Sequence, residues 1–187
     1  MPRIGIIVGS TASASINRKV AKAMATYLPE GFEVEFLDFS ALPFYNYELE
    51  AEWPAEATAW KNSIESADGI IIVTPEYSRS IPGALKNALD WSARPWGKAS
   101  FNGKPTAVMG ASVGASGAAM AQQHLRNILA HFNAPTMGQP ETFFHFNAEV
   151  FGADGSVQDE STAAVLRGFA EAAAAFIGSH VTEPASA

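Results

Sequence analysis

Three observations on this sequence predict a doubly wound α/β domain built on a five-stranded parallel sheet. Short β-branched runs alternate with longer helix-like stretches along the whole chain. The runs are continuously apolar, as in Ile4, Ile6, Ile7, Val8 and Ile70, Ile71, Ile72, Val73, which is the pattern of parallel strands covered on both faces by helices. Gly, Ser and Pro bound each run, where the chain must turn.

Strands are expected over residues 3–8, 33–37, 69–74, 106–110 and, more weakly, 142–146. Helices are expected over 16–27, 54–66, 82–91, 118–132 and 160–177. The first helix follows a Ser- and Asn-containing segment suited to capping. In the third, Ser80 is expected to cap, Pro82 to occupy the first turn, and Leu85 and Leu89 to face the core at i, i+4. The last carries the alanines 172–175, with Phe169 and Phe176 on one packing stripe. One domain over 1–180 is expected, followed by a frayed tail over 181–187, with His180 at the start of the fraying.

Composition narrows the function. A chain of 187 residues can bury about 70% of its unfolded surface and needs no staple. It has no cysteine, which excludes Cys-type zinc clusters, iron–sulfur centres and thiol catalysis, and fits a reducing compartment. Nineteen acidic and 12 basic residues give a net charge of -7 with no basic stripe, so no nucleic-acid partner is expected. Met1-Pro2-Arg3 runs straight into a strand without a signal-like apolar region, and no stretch approaches the roughly 20 apolar residues of a membrane span. A cytoplasmic protein without membrane attachment is expected. His124 and His131 lie seven apart, outside the i, i+4 pairing of a zincin, and no carboxylate cluster joins them, so no metal is expected.

The polar segments gather at the carboxyl ends of strands. Residues 9–18, with Ser10, Ser15, Ile16 and Asn17, follow the first strand. Pro75, Glu76, Tyr77, Ser78, Arg79 and Ser80 follow the third, and Ser112, Gly114, Ala115 and Gly117 follow the fourth. In a sheet ordered 2-1-3-4-5, strands one and three are neighbours at the switch point where α/β proteins bind ligands. The first loop reads either as a phosphate cradle of small residues and hydroxyls at a helix N-terminus or as an ordinary Ser-rich cap. Gly83 allows a flat ligand close to the backbone, and the glycines after the fourth strand let amides line a ligand or simply make a turn. Neither a Walker loop nor a Gly-x-Gly-x-x-Gly fingerprint occurs. Gly110-Ala111-Ser112-Val113-Gly114 does match the nucleophile elbow Gly-x-Ser-x-Gly, which would call on Asp154 or Asp159 and His180 as partners.

On these residues the chain closely resembles the NADPH-dependent FMN reductase family, flavodoxin-like enzymes that include quinone, chromate, ferric and azo reductases. The most specific element is the run from Thr74 through Pro75-Glu76-Tyr77-Ser78-Arg79-Ser80-Ile81-Pro82-Gly83 to Leu85-Lys86-Asn87-Ala88-Leu89-Asp90-Trp91. The resemblance also takes in Gly9-Ser10 with Ser15 and Asn17, Ser112 with Gly114 and Gly117, and Gln123-His124-Leu125-Arg126.

The resemblance implies a flavodoxin-like three-layer sandwich and an FMN cofactor reduced by NADPH or NADH. Ser10, Ser15 and Asn17 would hold its phosphate. Pro75, Glu76, Tyr77 and Ser78 would border the isoalloxazine edge, largely through backbone groups, and 112–117 its other side. It further implies ping-pong hydride transfer to a small-molecule acceptor such as a quinone, chromate or a ferric complex, with no acid–base side chain required. A homodimer or dimer of dimers is implied too. Aromatic residues at 44, 45, 47, 53, 60, 91 and 96 are expected mostly in the core, with some at a subunit interface or the flavin rim.

Three departures stand out. Many members carry Arg where this chain has Ala12, and Arg18 either compensates or points away. The family often has Asn at Ser78, and Arg79 stands where an aromatic is common, which bears on what docks above the flavin. Arg94 either meets an anionic substrate or cofactor phosphate or is a solvated helix-end charge. The alternative readings are an electron-carrier flavodoxin and a serine hydrolase using Ser112.

Overall fold

The computed structural model describes residues 1–181 and is built on a single parallel sheet in the order β2-β1-β3-β4-β5. The strands are β1 (Arg3–Val8), β2 (Glu33–Leu37), β3 (Gly69–Thr74), β4 (Thr106–Ser112) and β5 (Thr142–His145). Between them run α1 (Ile16–Ala25), α2 (Ala55–Glu65), α3 (Gly83–Ser92) and α4 (Ala119–His131), and α5 (Glu160–His180) closes the described chain. The expected flavodoxin-like architecture is therefore what forms. Residues 182–187, where most of the expected frayed tail falls, lie outside the described residues. His180 differs from expectation: it ends α5, its Nδ1 donating to the Phe176 carbonyl at 2.8 Å.

Because side chains alternate across a strand, an unbroken apolar run serves two cores at once. Ile70 and Ile72 face one layer, with Trp60 and Ile64 of α2, Leu85 and Leu89 of α3, and Leu125 and Leu129 of α4. Ile71 and Val73 face the other, with Val20 and Met24 of α1 and Leu166, Phe169 and Ile177 of α5. The edge strand β5 alternates buried and exposed residues, which explains its weaker apolar signal.

Two local features depart from the sequence reading. Strand β4 runs two residues past Gly110, because Ser112 pairs with His145 and the Ala111 peptide is held from α1. A 3-10 turn over Tyr47–Glu50, capped by the Asn46 side chain, interrupts the segment between β2 and α2.

The second half of the long motif proves to be architectural. Asn87 Nδ2 and Trp91 Nε1 both donate to the Pro43 carbonyl, at 2.9 and 2.8 Å, and Asn87 Oδ1 accepts from Tyr45 N at 2.7 Å. Lys86 pairs with Asp90 at i, i+4. These contacts fasten the 43–45 segment to α3 and bury Trp91, while Tyr45 and Trp53 pack edge-on against its ring.

Candidate functional site

With β1 and β3 adjacent, and β3 and β4 adjacent, the loops that leave all three strands meet at the carboxyl edge of the sheet. That edge carries all three of the polar segments.

The first loop is a cradle of hydroxyls and free amides. Ser10 Oγ accepts from Ala12 N at 3.3 Å, and Ser15 caps α1 by accepting from Arg18 N at 3.2 Å. Both hydroxyls keep a proton to donate. In the first turn, the N–H groups of Ile16 and Asn17 have no protein acceptor among the described residues. Hydroxyls plus unpaired amides at a positive helix end suit an anion.

Arg18 lines a cleft of about 190 Å³ together with Ser10, Thr11 and Asp38. It also borders one of about 710 Å³ between α1 and residues 153–157, shared with Ser15, Lys19 and Lys22. Among the described residues no carboxylate lies within ion-pair distance of it. Its charge is thus free beside the cradle that lacks one at Ala12. Asp154, in the larger cleft, has its carboxyl held below the usual range by hydrogen bonds from the Ser156 hydroxyl and amide.

Asn17 requires a correction. Its side chain is 1% exposed, with Nδ2 donating to the Ala111 carbonyl and Oδ1 accepting from Ala111 N, both at 2.9 Å. The Asn17 side chain thus clamps the end of β4, and only its backbone N–H is left without a protein acceptor among the described residues.

The second loop is a tight bracket. Tyr77 and Ser80 exchange backbone hydrogen bonds at 2.9 and 3.0 Å around Ser78 (φ 51) and Arg79 (φ 68). Two consecutive left-handed residues make this a type I′ turn, which favours Asn and Gly and accounts for Asn being common where Ser78 stands. Arg79 is exposed at the tip.

Ser80 does not cap α3 as expected: Pro82 is the N-cap residue, and Ser80 Oγ lies 3.0 Å from His124 Nδ1. Glu76 reaches sideways, Oε2 accepting from Met120 N at 3.0 Å and Ala121 N at 3.2 Å at the start of α4. Sequence reasoning assigned its side chain no part in α4. The available signal was that Ala118, the residue at the N-cap of α4, has no side chain able to cap. For the contact of His124 with Ser80 the sequence held no signal.

The third loop leaves β4 through Ser112, whose Oγ accepts from Gly114 N at 3.0 Å. Gly117 (φ 53) and Ala118 (φ 65) turn it into α4, and a Cβ on Gly117 would stand 2.3 Å from the Phe143 backbone, so glycine is obligatory there. Gly114 and Gly83 are different. A Cβ at Gly83 would meet nothing within 4 Å, one at Gly114 only ordinary contact, and neither has positive φ. The fold alone does not require these two glycines, nor Gly138 or Gly168, whose surroundings are equally open.

The elbow reading of Ser112 fails on geometry. His180 lines a cleft with Asp68 and Pro105, just before β3 and β4, at the opposite edge of a sheet on the order of 20 Å tall. His145, paired with Ser112 in register, donates through Nε2 to the Val113 carbonyl at 3.1 Å. No serine–histidine–acid array forms among the residues nominated for it.

Arg94 is not brought to the three loops either. Helix α3 starts at the crevice and runs away from it, putting Arg94 on the order of 15 Å from the helix start. There it sits 3.6 Å from Glu50 and over the rings of Tyr45 and Trp96. The Tyr45 hydroxyl donates to Glu50 at 2.6 Å, which raises its pKa above the usual tyrosine value.

A helix start with free amides and hydroxyls, at the carboxyl edge of a parallel sheet ordered β2-β1-β3-β4-β5, defines a flavodoxin-type α/β domain suited to an anionic ligand. Residues 2–149 match the family described as NADPH-dependent FMN reductase, and the chain belongs to that family. It is an oxidoreductase with FMN as cofactor and NAD(P)H as reductant, not the electron carrier or serine hydrolase considered above.

Among its relatives, a 2-hydroxy-1,4-benzoquinone reductase of Burkholderia sp is 42% identical across 94% of this chain and 96% of its own length. A quinone reductase of Pseudomonas putida is 37% identical across 93% and 94%. The solved structure of FerB, a flavoenzyme NAD(P)H:(acceptor) oxidoreductase from Paracoccus denitrificans, superposes with a TM-score of 0.92 at 41% identity, covering 96% of this chain and 99% of that one.

Proposed function

We propose that this enzyme reduces quinones with NAD(P)H through FMN held at the three-loop crevice. The observation that carries the reading is the start of α1, where the Ile16 and Asn17 N–H groups find no protein acceptor among the described residues beside the Ser10 and Ser15 hydroxyls. The quinone reductase relatives support the acceptor class.

FMN held there would supply hydride-transfer chemistry between NAD(P)H and the acceptor, in ping-pong order. The chain supplies position and electrostatics. Ser10 and Ser15 hydroxyls with the Ile16 and Asn17 amides would bind the phosphate, and Arg18 would add the charge missing at Ala12. Pro75, Glu76, Tyr77 and Ser78 would border one side of the ring through backbone groups. Ser112, Gly114, Ala115 and Gly117 would border the other, where peptide N–H groups favour negative charge. Arg79, exposed at the bracket tip, is the side chain of this set best placed to meet the acceptor. Arg94 keeps the reading of a helix-end charge.

Phe44, Tyr47 and Trp96 are 85, 73 and 78% exposed, which supports a surface buried in a homodimer or dimer of dimers. No helix among the described residues is long and apolar enough to cross a membrane. A cytoplasmic site of action, where reduced nicotinamide nucleotides are regenerated, and a single domain over 1–180 complete the proposal.

The test is anaerobic. Protein loaded with FMN should bleach on mixing with NADPH or NADH, and 2-hydroxy-1,4-benzoquinone should restore the oxidised spectrum within turnover time. Rapid bleaching with no response to any quinone would sink the acceptor assignment.

A further inference from the structure

Helix α4 begins without a cap of its own. Its N-cap residue, Ala118, has φ 65 and no side-chain acceptor to offer. The first turn is nonetheless complete: Ala119 N donates to the Ser116 carbonyl at 3.0 Å and Gln122 N to the Ala118 carbonyl at 3.1 Å. The two remaining amides, Met120 and Ala121, both donate to Glu76 Oε2. A carboxylate 44 positions upstream therefore caps the helix in trans, a charge-assisted pair of bonds at the positive helix end.

One turn further along α4, His124 holds Ser80 Oγ at 3.0 Å. The segment from Glu76 to Ser80 is thus tied to α4 at both ends, with the two left-handed residues Ser78 and Arg79 bowed between the ties. Left-handed Ser and Arg are disfavoured conformations and persist only where the surroundings hold them. The same helix start is the landing point of the 112–118 loop, so α4 fixes both walls of the crevice relative to one another.

We propose that Glu76 and His124 are positioning residues: through the start of α4 they lock the 75–80 bracket against the 112–118 loop and set the width of the ring slot. This inference rests on the FMN reading of the crevice. It assigns neither side chain a role in hydride transfer, and it separates ring binding from phosphate binding, since both ties lie away from residues 10–17.

The experiment compares apoprotein variants by fluorescence quenching of FMN and of riboflavin, with amide hydrogen exchange at Met120 and Ala121 as a second readout. Glu76→Ala should expose both amides to fast exchange. It should also raise the dissociation constants of FMN and riboflavin by the same factor, about tenfold. Glu76→Gln keeps an oxygen acceptor and should recover most of the affinity and the protection. His124→Ala should raise both constants in parallel by about threefold, with the α4 amides still protected, and it remains informative if Glu76→Ala does not fold.

Fast exchange in Glu76→Ala with unchanged affinity for both ligands would overturn the proposal, because the cap would then serve the helix alone. Loss of FMN affinity with riboflavin unaffected would overturn it too. A parent protein that binds neither ligand would instead refute the FMN reading on which the inference stands.

Discussion

Asn17 and Ala111 form a closed pair of hydrogen bonds, each 2.9 Å long, between the first turn of α1 and the end of β4. A side-chain amide here does the work of a neighbouring strand. It prolongs β4 beyond Gly110, and it ties the start of α1 to the loop that follows β4.

Replacing Asn17 by Ala should therefore disturb more than the phosphate. It leaves a buried N–H and carbonyl unpaired, at a cost of about 1–3 kcal/mol each, visible as a lower urea midpoint. FMN and riboflavin should weaken together, because the 112–117 loop loses its anchor. Selective loss of FMN in titrations of the stable variant would return the Asn17 side chain to the phosphate.

Arg18 should behave in the opposite manner. Arg18→Gln should lower FMN affinity by about tenfold at low salt while sparing riboflavin, equivalent to about 1.4 kcal/mol. Raising ionic strength should shrink the difference between parent and variant as the exposed charge is screened. Identical FMN affinities in the two proteins at low salt would show that the guanidinium does not serve the phosphate.

The glycines divide into two groups by what surrounds them. Gly83→Ala and Gly114→Ala meet no steric obstacle in the fold and should hold or slightly raise stability, by up to about 1 kcal/mol, while weakening FMN. Gly117→Ala drives a Cβ into the Phe143 backbone and should destabilise the protein outright. Thermal melts of the apoproteins, paired with flavin titrations, separate the two behaviours.

The bracket tip offers a test of strain. Ser78→Asn with Arg79→Gly suits the type I′ turn and should stabilise the protein by on the order of 1 kcal/mol in chemical unfolding. If Arg79 meets the acceptor, KM for quinones should change in the same variant while the rate of bleaching by NAD(P)H does not.

Acid stability carries a signature at the start of α5. Asp159 caps that helix, and hydrogen bonds from Ser161 and Thr162 hold its carboxyl below the ordinary value of 3.8. A carboxyl with a lowered folded-state pKa contributes stability above its unfolded pKa, and the contribution disappears as pH falls through the folded value. Asp159→Asn retains a cap oxygen without the titration, so its stability should fall less steeply than the parent's below pH about 4.

Much of this architecture was legible in the residues themselves. The apolar runs at Ile4 and Ile70 announced strands buried on both sides, and the order of the elements placed the polar segments after the first, third and fourth strands at one edge of the sheet. What escaped was direction. Asn17 has the right chemistry for a phosphate, but nothing in its neighbours tells which side of the helix start its amide faces. Ser80 looked like a cap because Pro82 follows it, yet the turn at Ser78 and Arg79 rotates its hydroxyl toward α4. Arg94 follows the long motif closely in sequence, while the helix that carries the motif takes it on the order of 15 Å from the helix start. Contacts such as Glu76 with Met120 join segments 44 residues apart and leave no periodicity behind.

The borrowed cap of α4 also constrains how this site can be rebuilt. Loop exchange is the usual route to a new acceptor range, and it assumes that each loop is a self-contained part. Here the segment after β3 finishes a helix that belongs to the segment after β4. A graft that replaces either one alone, without an oxygen at position 76 to meet the amides of 120 and 121, would arrive with an open helix end in the wall of the slot. The practical unit of redesign is the pair, carried over together with the first turn of α4.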